Sequence, residues 1–246
     1  MKITPTDKWL KLYNANKHRL VPNGDLNLYF TTDEIAGQKL DRLSLGTINI
    51  PSGEILVRDP LVYLSKPNIP YLGKIPVGRF PLTACVVIGE EDCARYAAVK
   101  VDFSNEPPVR YEEALLGSED LENLEAGEFF GFNVDAGLAT IVDKAVADAY
   151  CTFFDNWEKE NPNGNSYDDY FSEIFAQSYR ENPKYQRKEG DWINWTIPDT
   201  DYQVPMFQSG FGDGAYPVYF GYDDKGQICR LIVQFIDIEL EFGEDE

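Results

Sequence analysis

Apolar positions along the chain switch between helical and strand spacing, and the switches mark its elements. Residues 6–17 set Trp9, Leu10 and Tyr13 on one stripe with charges opposite, which predicts an amphipathic helix opened by Thr6 or Asp7 and finished before Pro22-Asn23-Gly24. Short apolar stretches at 27–31, 43–50, 53–59, 78–88 and 94–103 follow, rich in β-branched residues and punctuated by Gly and Pro. Those features predict strands. The link Ile-Gly-Glu-Glu-Asp at 88–92 is short enough for a hairpin, so the last two should pair antiparallel.

The middle is more helical. Residues 118–127 offer an acidic turn or short helix, and two apolar pieces then meet a break at Asp135-Ala136-Gly137. From Asp143, the predicted N-cap, Ala145, Ala149, Thr152, Phe153 and Trp157 recur at helical spacing until the Asn161-Pro162-Asn163-Gly164-Asn165 stop. A second helix is predicted over 166–181 with Tyr170, Phe171, Ile174, Phe175 and Tyr179 as its apolar face; 182–191 is polar and reads as a mobile connection. Strands are predicted at 191–197 and 202–207, and a hairpin over 215–240 turns at Asp223-Asp224-Lys225-Gly226. No repeat and no low-complexity linker divides the chain. The reading is one α+β domain over 1–246, predominantly antiparallel, sandwich-like or strongly curved, with an N-terminal helix and two central helices. Residues 1–43 are the lead-in, 44–240 the core and 241–246 an acidic tail.

Charge narrows the function classes. There are 22 Lys and Arg against 42 Asp and Glu, a formal net charge of −20, which repels polyphosphate and anionic membrane surfaces and favours a basic protein partner. With 43% hydrophobic and 14% aromatic residues the chain has material for a core. The sole histidine, His18, sits between Lys17 and Arg19 and reads as a solvated imidazole. Two- and three-His zinc sites are thereby excluded, and a Ser-His-Asp triad would have to use that one exposed ring. Cys85, Cys93, Cys151 and Cys229 are too widely spaced for a structural zinc site. Cys85 and Cys93 could face each other across the hairpin, but burial as small hydrophobes is the plainer reading. No leader-like apolar segment opens the chain and no apolar run approaches the ~20 residues of a membrane span. The expectation is a cytoplasmic protein with reduced thiols.

Candidate chemistry lies in loops rich in Asp and Gly. Ser209-Gly210-Phe211-Gly212-Asp213-Gly214 sets three glycines around one serine and one aspartate before a strand. Gly210, Gly212 and Gly214 would let a ligand lie on exposed N–H groups, or simply allow a tight bend with Asp213 capping its own turn. A phosphate cradle would normally add a lysine and open a helix. Asp213, Ser209, Asp135 and Asp143 are the candidate catalytic residues. Asp59, Asp135, Asp143 and Asp213 are candidate oxygen ligands for Mg²⁺ or Ca²⁺, or a carboxylate pair for acid/base hydrolysis. The plain alternatives are an Asx turn at Asp135 and a helix cap at Asp143. Arg79 would bridge to one of these aspartates or clamp an anionic group of a ligand. Residues 161–165 with Asp168 and Asp169 faintly suggest a calcium loop, but the spacing fits no EF-hand and a polar inter-helix loop is the better reading.

Residues 51–61, 75–87, 95–103, 129–143 and 209–235, in that order, resemble the bacterial domain-of-unknown-function family numbered 4241, across about 44–240. The most specific piece is the Ser-Gly-x-Gly-Asp-Gly-x-Tyr-Pro stretch at 209–217; Phe211 stands where relatives carry Trp. Asp59, Arg79, Asp135, Gly137, Asp143, Tyr216 and Pro217 also match. The resemblance implies neither substrate nor catalytic residues. Two functions therefore remain. The first is an acidic binding or regulatory protein for a basic macromolecular partner, of the inhibitor or toxin-immunity type, needing no cofactor. The alternative is an Asp-based hydrolase or transferase dependent on Mg²⁺ or another divalent metal.

Overall fold

The computed structural model describes residues 3–89, 94–125 and 127–243. Helix α1 (Asp7–Asn16) begins where Thr6 Oγ1 accepts the Trp9 N–H at 3.1 Å. It buries Trp9 and stacks it on Tyr13, whereas Leu10 faces solvent. His18 follows in a 3-10 turn, Lys17–Arg19. Residues 27–31 are not the expected strand but contain the helical turn α2 (Leu28–Thr31). Leu26 and Tyr29 bury together at helical spacing, and Asp25 Oδ1 accepts the Asn27 N–H at 2.9 Å.

Strands β1 (Glu34–Ile35), β2 (Gln38–Ile50), β3 (Ile55–Arg58), β4 (Gly78–Ile88), β5 (Ala94–Asp102) and β6 (Arg110–Glu113) come next. The predicted β4–β5 pairing is present; its connecting residues, Cys93 among them, lie outside the described residues. Residues 118–125 form bends, not a helix, with the Glu119 carboxylate accepting the Gly117 and Ser118 N–H groups. Then come β7 (Phe132–Val134), β8 (Leu138–Asp143), α3 (Lys144–Glu160), a π-helical turn (Ser166–Phe171) and α4 (Ser172–Glu181). The chain finishes with β9 (Trp192–Thr196), β10 (Gln203–Gln208), β11 (Gly214–Tyr216), β12 (Val218–Tyr222), β13 (Ile228–Gln234) and α5 (Ile238–Phe242).

The fold is α+β, and every strand pairing among the described residues is antiparallel. A strongly curved sheet runs β1-β2-β4-β5-β13-β12-β6, and a second runs β3-β8-β10-β9. The second is a middle layer. Ile55, Val57, Ala139, Ile141 and Phe207 pack toward the large sheet, while Leu56, Leu138, Val142, Val204 and Met206 pack toward the helices. Burial on both faces explains why β8 reads as an unbroken apolar run. At Gly46 the β2–β4 register shifts and φ is +89°. Asn194 of β9 donates from its amide nitrogen to the Leu45 and Thr47 carbonyls on either side, tying the two sheets together. A Cβ at Gly46 would stand 2.6 Å from that nitrogen.

Asp143 caps α3 as expected, accepting the Ala145 N–H at 2.8 Å. The buried stripe of α3 is Val146, Ala147, Tyr150, Cys151 and Phe154, turned from the predicted one by roughly one residue, or about 100°. Aromatics occupy both stripes; Tyr150, anchored on the Pro60 carbonyl, takes the inward one, and Phe153 and Trp157 flank it half-buried. The polar segment 182–191 is tied down: Tyr185 accepts the Tyr96 hydroxyl hydrogen bond at its carbonyl, and Arg187 pairs with buried Asp191. The final hairpin turns where predicted, but its second strand stops at Gln234. Glu241 and Phe242, assigned to the tail, belong to α5, which Asp237 caps; residues 244–246 lie outside the described residues. Cys85, Cys151 and Cys229 are buried free thiols, and burial pushes Cys85 up to about 12. Among the described residues no helix is long and apolar enough to cross a membrane.

Candidate functional site

Strand β8 organises the candidate aspartates and separates them. Antiparallel pairing with β3 sets Ile55 opposite Asp143 and Arg58 opposite Thr140, so Asp143 lies at one end of the pair and Asp59 at the other. Asp143 is fully buried. Besides the Ala145 N–H it accepts Ser52 N at 2.9 Å, Ser52 Oγ at 2.8 Å and Gly53 N at 3.1 Å. Asp59, also fully buried, takes Leu61 N and Val62 N on one oxygen and Asp135 N and Ala136 N on the other. Asp59 is saturated by backbone N–H groups alone, and Asp143 by backbone N–H groups together with the Ser52 hydroxyl.

The Asp59 end opens into a cleft of about 640 Å³. The turn before β8 contributes exposed Asp135, whose Oδ2 accepts the Tyr63 hydroxyl hydrogen bond. That carboxylate raises the Tyr63 hydroxyl above its ordinary range. The glycine-rich loop folds against the same turn. Ser209 N donates to the Gly137 carbonyl at 3.1 Å, and Gly137 N donates to Asp213 Oδ1 at 3.0 Å. Ser209 is buried and its hydroxyl donates to the Gly212 carbonyl at 2.7 Å, which also accepts the Tyr216 hydroxyl; Gly214 begins β11. Gly210 sits at φ +62°, where a Cβ would come within 3.0 Å of Phe235 Cβ. The loop projects Phe211, 57% exposed, at the cleft beside Asp213.

Asp135 and Asp213 thus meet at one cleft, with Gly210 and Gly212 on its wall, whereas Asp59 and Asp143 are used in turns and a cap. Among the described residues no three His, Cys, Asp or Glu side chains form a metal-holding group. Arg79 stands apart: exposed on β4, it lies 3.5 Å from Gln203 Oε1 and 3.8 Å from Asp201, and does not line the cleft. Asn165 caps the π-helical turn through Tyr167 N and Asp168 N, so the segment likened to a calcium loop serves as a cap.

The cleft also contains residues that were not singled out from the sequence: Arg95, Arg187 and Gln208, with Asp168 present only as part of the supposed calcium loop. Arg187 Nε and Nη2 lie 2.8 and 2.6 Å from Asp191 Oδ1, so its charge is offset. Gln208 had a sequence signal. Val204 and Met206 occupy alternate positions of an apolar stripe, and Gln208 is the next position in phase.

No curated protein and no solved structure matches this chain. A family described as "Protein of unknown function (DUF4241)" matches residues 48–233, a span containing the whole β3-β8-β10-β9 sheet, the β8 turn and the glycine-rich loop. By that match across most of its length, the chain belongs to the DUF4241 family.

Proposed function

We propose that this protein is an acidic recognition protein that docks a basic macromolecular partner at the cleft, in the manner of an inhibitor or immunity protein. One observation carries the reading: Tyr63 and Phe211, 38% and 57% exposed, stand beside the carboxylates of Asp135 and Asp213. Aromatic anchors next to unsaturated charge suit an interface, where rings supply buried area and carboxylates steer a cationic surface. The formal charge of −20 adds long-range attraction of the same sign. The metal-hydrolase alternative loses support because Asp59 and Asp143 spend their oxygens on backbone N–H groups and the Ser52 hydroxyl.

Affinity capture from cells that express the protein, at low and high salt, tests this. The wild-type chain should retain a basic protein at low salt and release it at high salt. A Phe211→Ala, Asp213→Asn double variant should retain far less. Failure to recover any basic partner, or equal retention by the double variant, overturns the reading.

A further inference from the structure

A second cavity, of about 520 Å³, shares no lining residue with the cleft among the described residues. It backs onto the glycine-rich loop through Tyr216, whose ring lines it and whose hydroxyl donates to the Gly212 carbonyl. Its inner wall is the end of the β12–β13 pair. Tyr219 stands opposite Ile232, and Gln234 follows two positions on, so both lie on one face, 6% and 7% exposed. Tyr29 fixes the Gln234 amide. The Tyr29 hydroxyl donates to the Ile236 carbonyl and accepts the Ile238 N–H, each at 3.0 Å, so it has only a lone pair left to offer. Gln234 gives it Nε2, at 2.9 Å, and turns Oε1 away. That oxygen has no partner among the described residues and neither has the Tyr219 hydroxyl, yet neither is among the unpaired atoms sealed in the core. Both are open to the cavity they line. Burial, with Glu113 and Asp237 nearby, raises the Tyr219 hydroxyl well above its ordinary range, so it stays a neutral donor.

Arg19 lines the same cavity and has no ion pair or hydrogen bond among the described residues. Its neighbour holds it beside the inner wall: the Leu20 carbonyl accepts Glu113 N at 2.8 Å, and Glu113 is the cross-strand partner of Tyr219. The cavity's carboxylates already have duties. Asp237 accepts Leu240 N at 3.2 Å and Asn23 Nδ2 at 3.3 Å, and Glu128 accepts Glu125 N at 2.7 Å. Phe129, Tyr216, Pro217 and Phe235 supply apolar walls, and Val21 and Leu240 an exposed apolar rim. We propose that this cavity is a small-molecule site for a planar aromatic carboxylic acid whose ring bears an N–H or O–H donor. The ring lies among the aromatic walls, its donor meets Gln234 Oε1 and its carboxylate faces Arg19. Such a volume, with few polar groups in apolar walls, suits a small ligand. A bare hydrocarbon would leave the amide oxygen and the guanidinium desolvated without partners, and an amine would be repelled by Arg19. The proposal goes beyond the recognition reading and uses no residue of the cleft.

Ligand-detected NMR titration of the full chain with indole-3-acetate tests the site, with indole-3-ethanol and 1-methylindole-3-acetate as controls. The first control removes the charge and the second removes the ring N–H. Indole-3-acetate should bind, and each control about tenfold more weakly. Arg19→Gln should weaken indole-3-acetate by about tenfold and leave indole-3-ethanol unchanged. Gln234→Leu should erase the difference between indole-3-acetate and its N-methyl form. Should that variant fail to fold, the N-methyl comparison on the wild-type chain decides the role of Oε1. The cleft variant Phe211→Ala, Asp213→Asn should bind as the wild type does. No binding of indole-3-acetate, or equal binding of all three compounds, overturns the proposal. Unchanged binding in Arg19→Gln, or loss of binding in the cleft variant, places the compound elsewhere and overturns it too.

Discussion

The two ends of β8 use aspartate in opposite ways. At its C-terminal end Asp143 is fully buried and accepts from Ser52, Gly53 and Ala145, locking the start of α3 to the loop before β3. At the other end Asp135 is exposed and accepts from one tyrosine hydroxyl, while its own N–H is held by Asp59. One carboxylate is spent on the fold; the other is positioned by the fold and left with open oxygens. Saturation, more than residue type or spacing, separates a structural aspartate from a candidate binding group.

The largest test of that contrast is Asp143→Ala. It strips partners from several buried donors and removes a helix cap, so a loss of about 3 kcal/mol or more is expected in urea unfolding. Glu113 then sharpens the role of saturation. It is buried on β6 with, among the described residues, only Phe130 N and Gly131 N donating to one oxygen, and desolvation raises its carboxyl from 4.5 to about 7. A carboxyl raised on folding contributes stability that is complete below pH 4.5 and is lost as pH climbs through about 7. The swing is on the order of 3 kcal/mol, and Glu113→Gln should flatten it in unfolding curves taken across that window.

Smaller effects are expected at the open end. Gly210→Ala forces a side chain into a left-handed backbone against Phe235 and should cost about 1–2 kcal/mol in thermal unfolding. Asp135→Asn is exposed and should change stability by less than about 0.5 kcal/mol. Its effect should appear in retention of the basic partner at low salt. A large stability loss there would erase the distinction between the two ends.

Local signals were legible where the backbone itself required a residue type. The cap at Asp143, the Thr6 cap and the Asp223 turn all rest on short-range hydrogen bonding that a few residues specify. The strand expected at 27–31 failed because apolar residues three apart suit a helical turn as well as an alternating run. The α3 face was rotated because aromatics lie on two stripes and only the neighbouring sheet chooses between them. At the site, the glycine-rich loop and Asp135 were singled out together, yet Gln208 and Arg187 were missed. Their place on the cleft wall is set by which segments the fold brings together, a relation between distant parts of the chain.

By itself the sequence determined an α+β chain of antiparallel strands, a strongly anionic surface and a small set of loops able to carry chemistry, because composition, period and turn chemistry are local properties. Only the tertiary structure decided which aspartates keep free oxygens. Hydrogen bonds from Ser52 to Asp143 span 91 positions of chain, and those from Asp135 to Asp59 span 76. Whether a carboxylate is consumed or available is settled by which donors the sheet pairing brings to it.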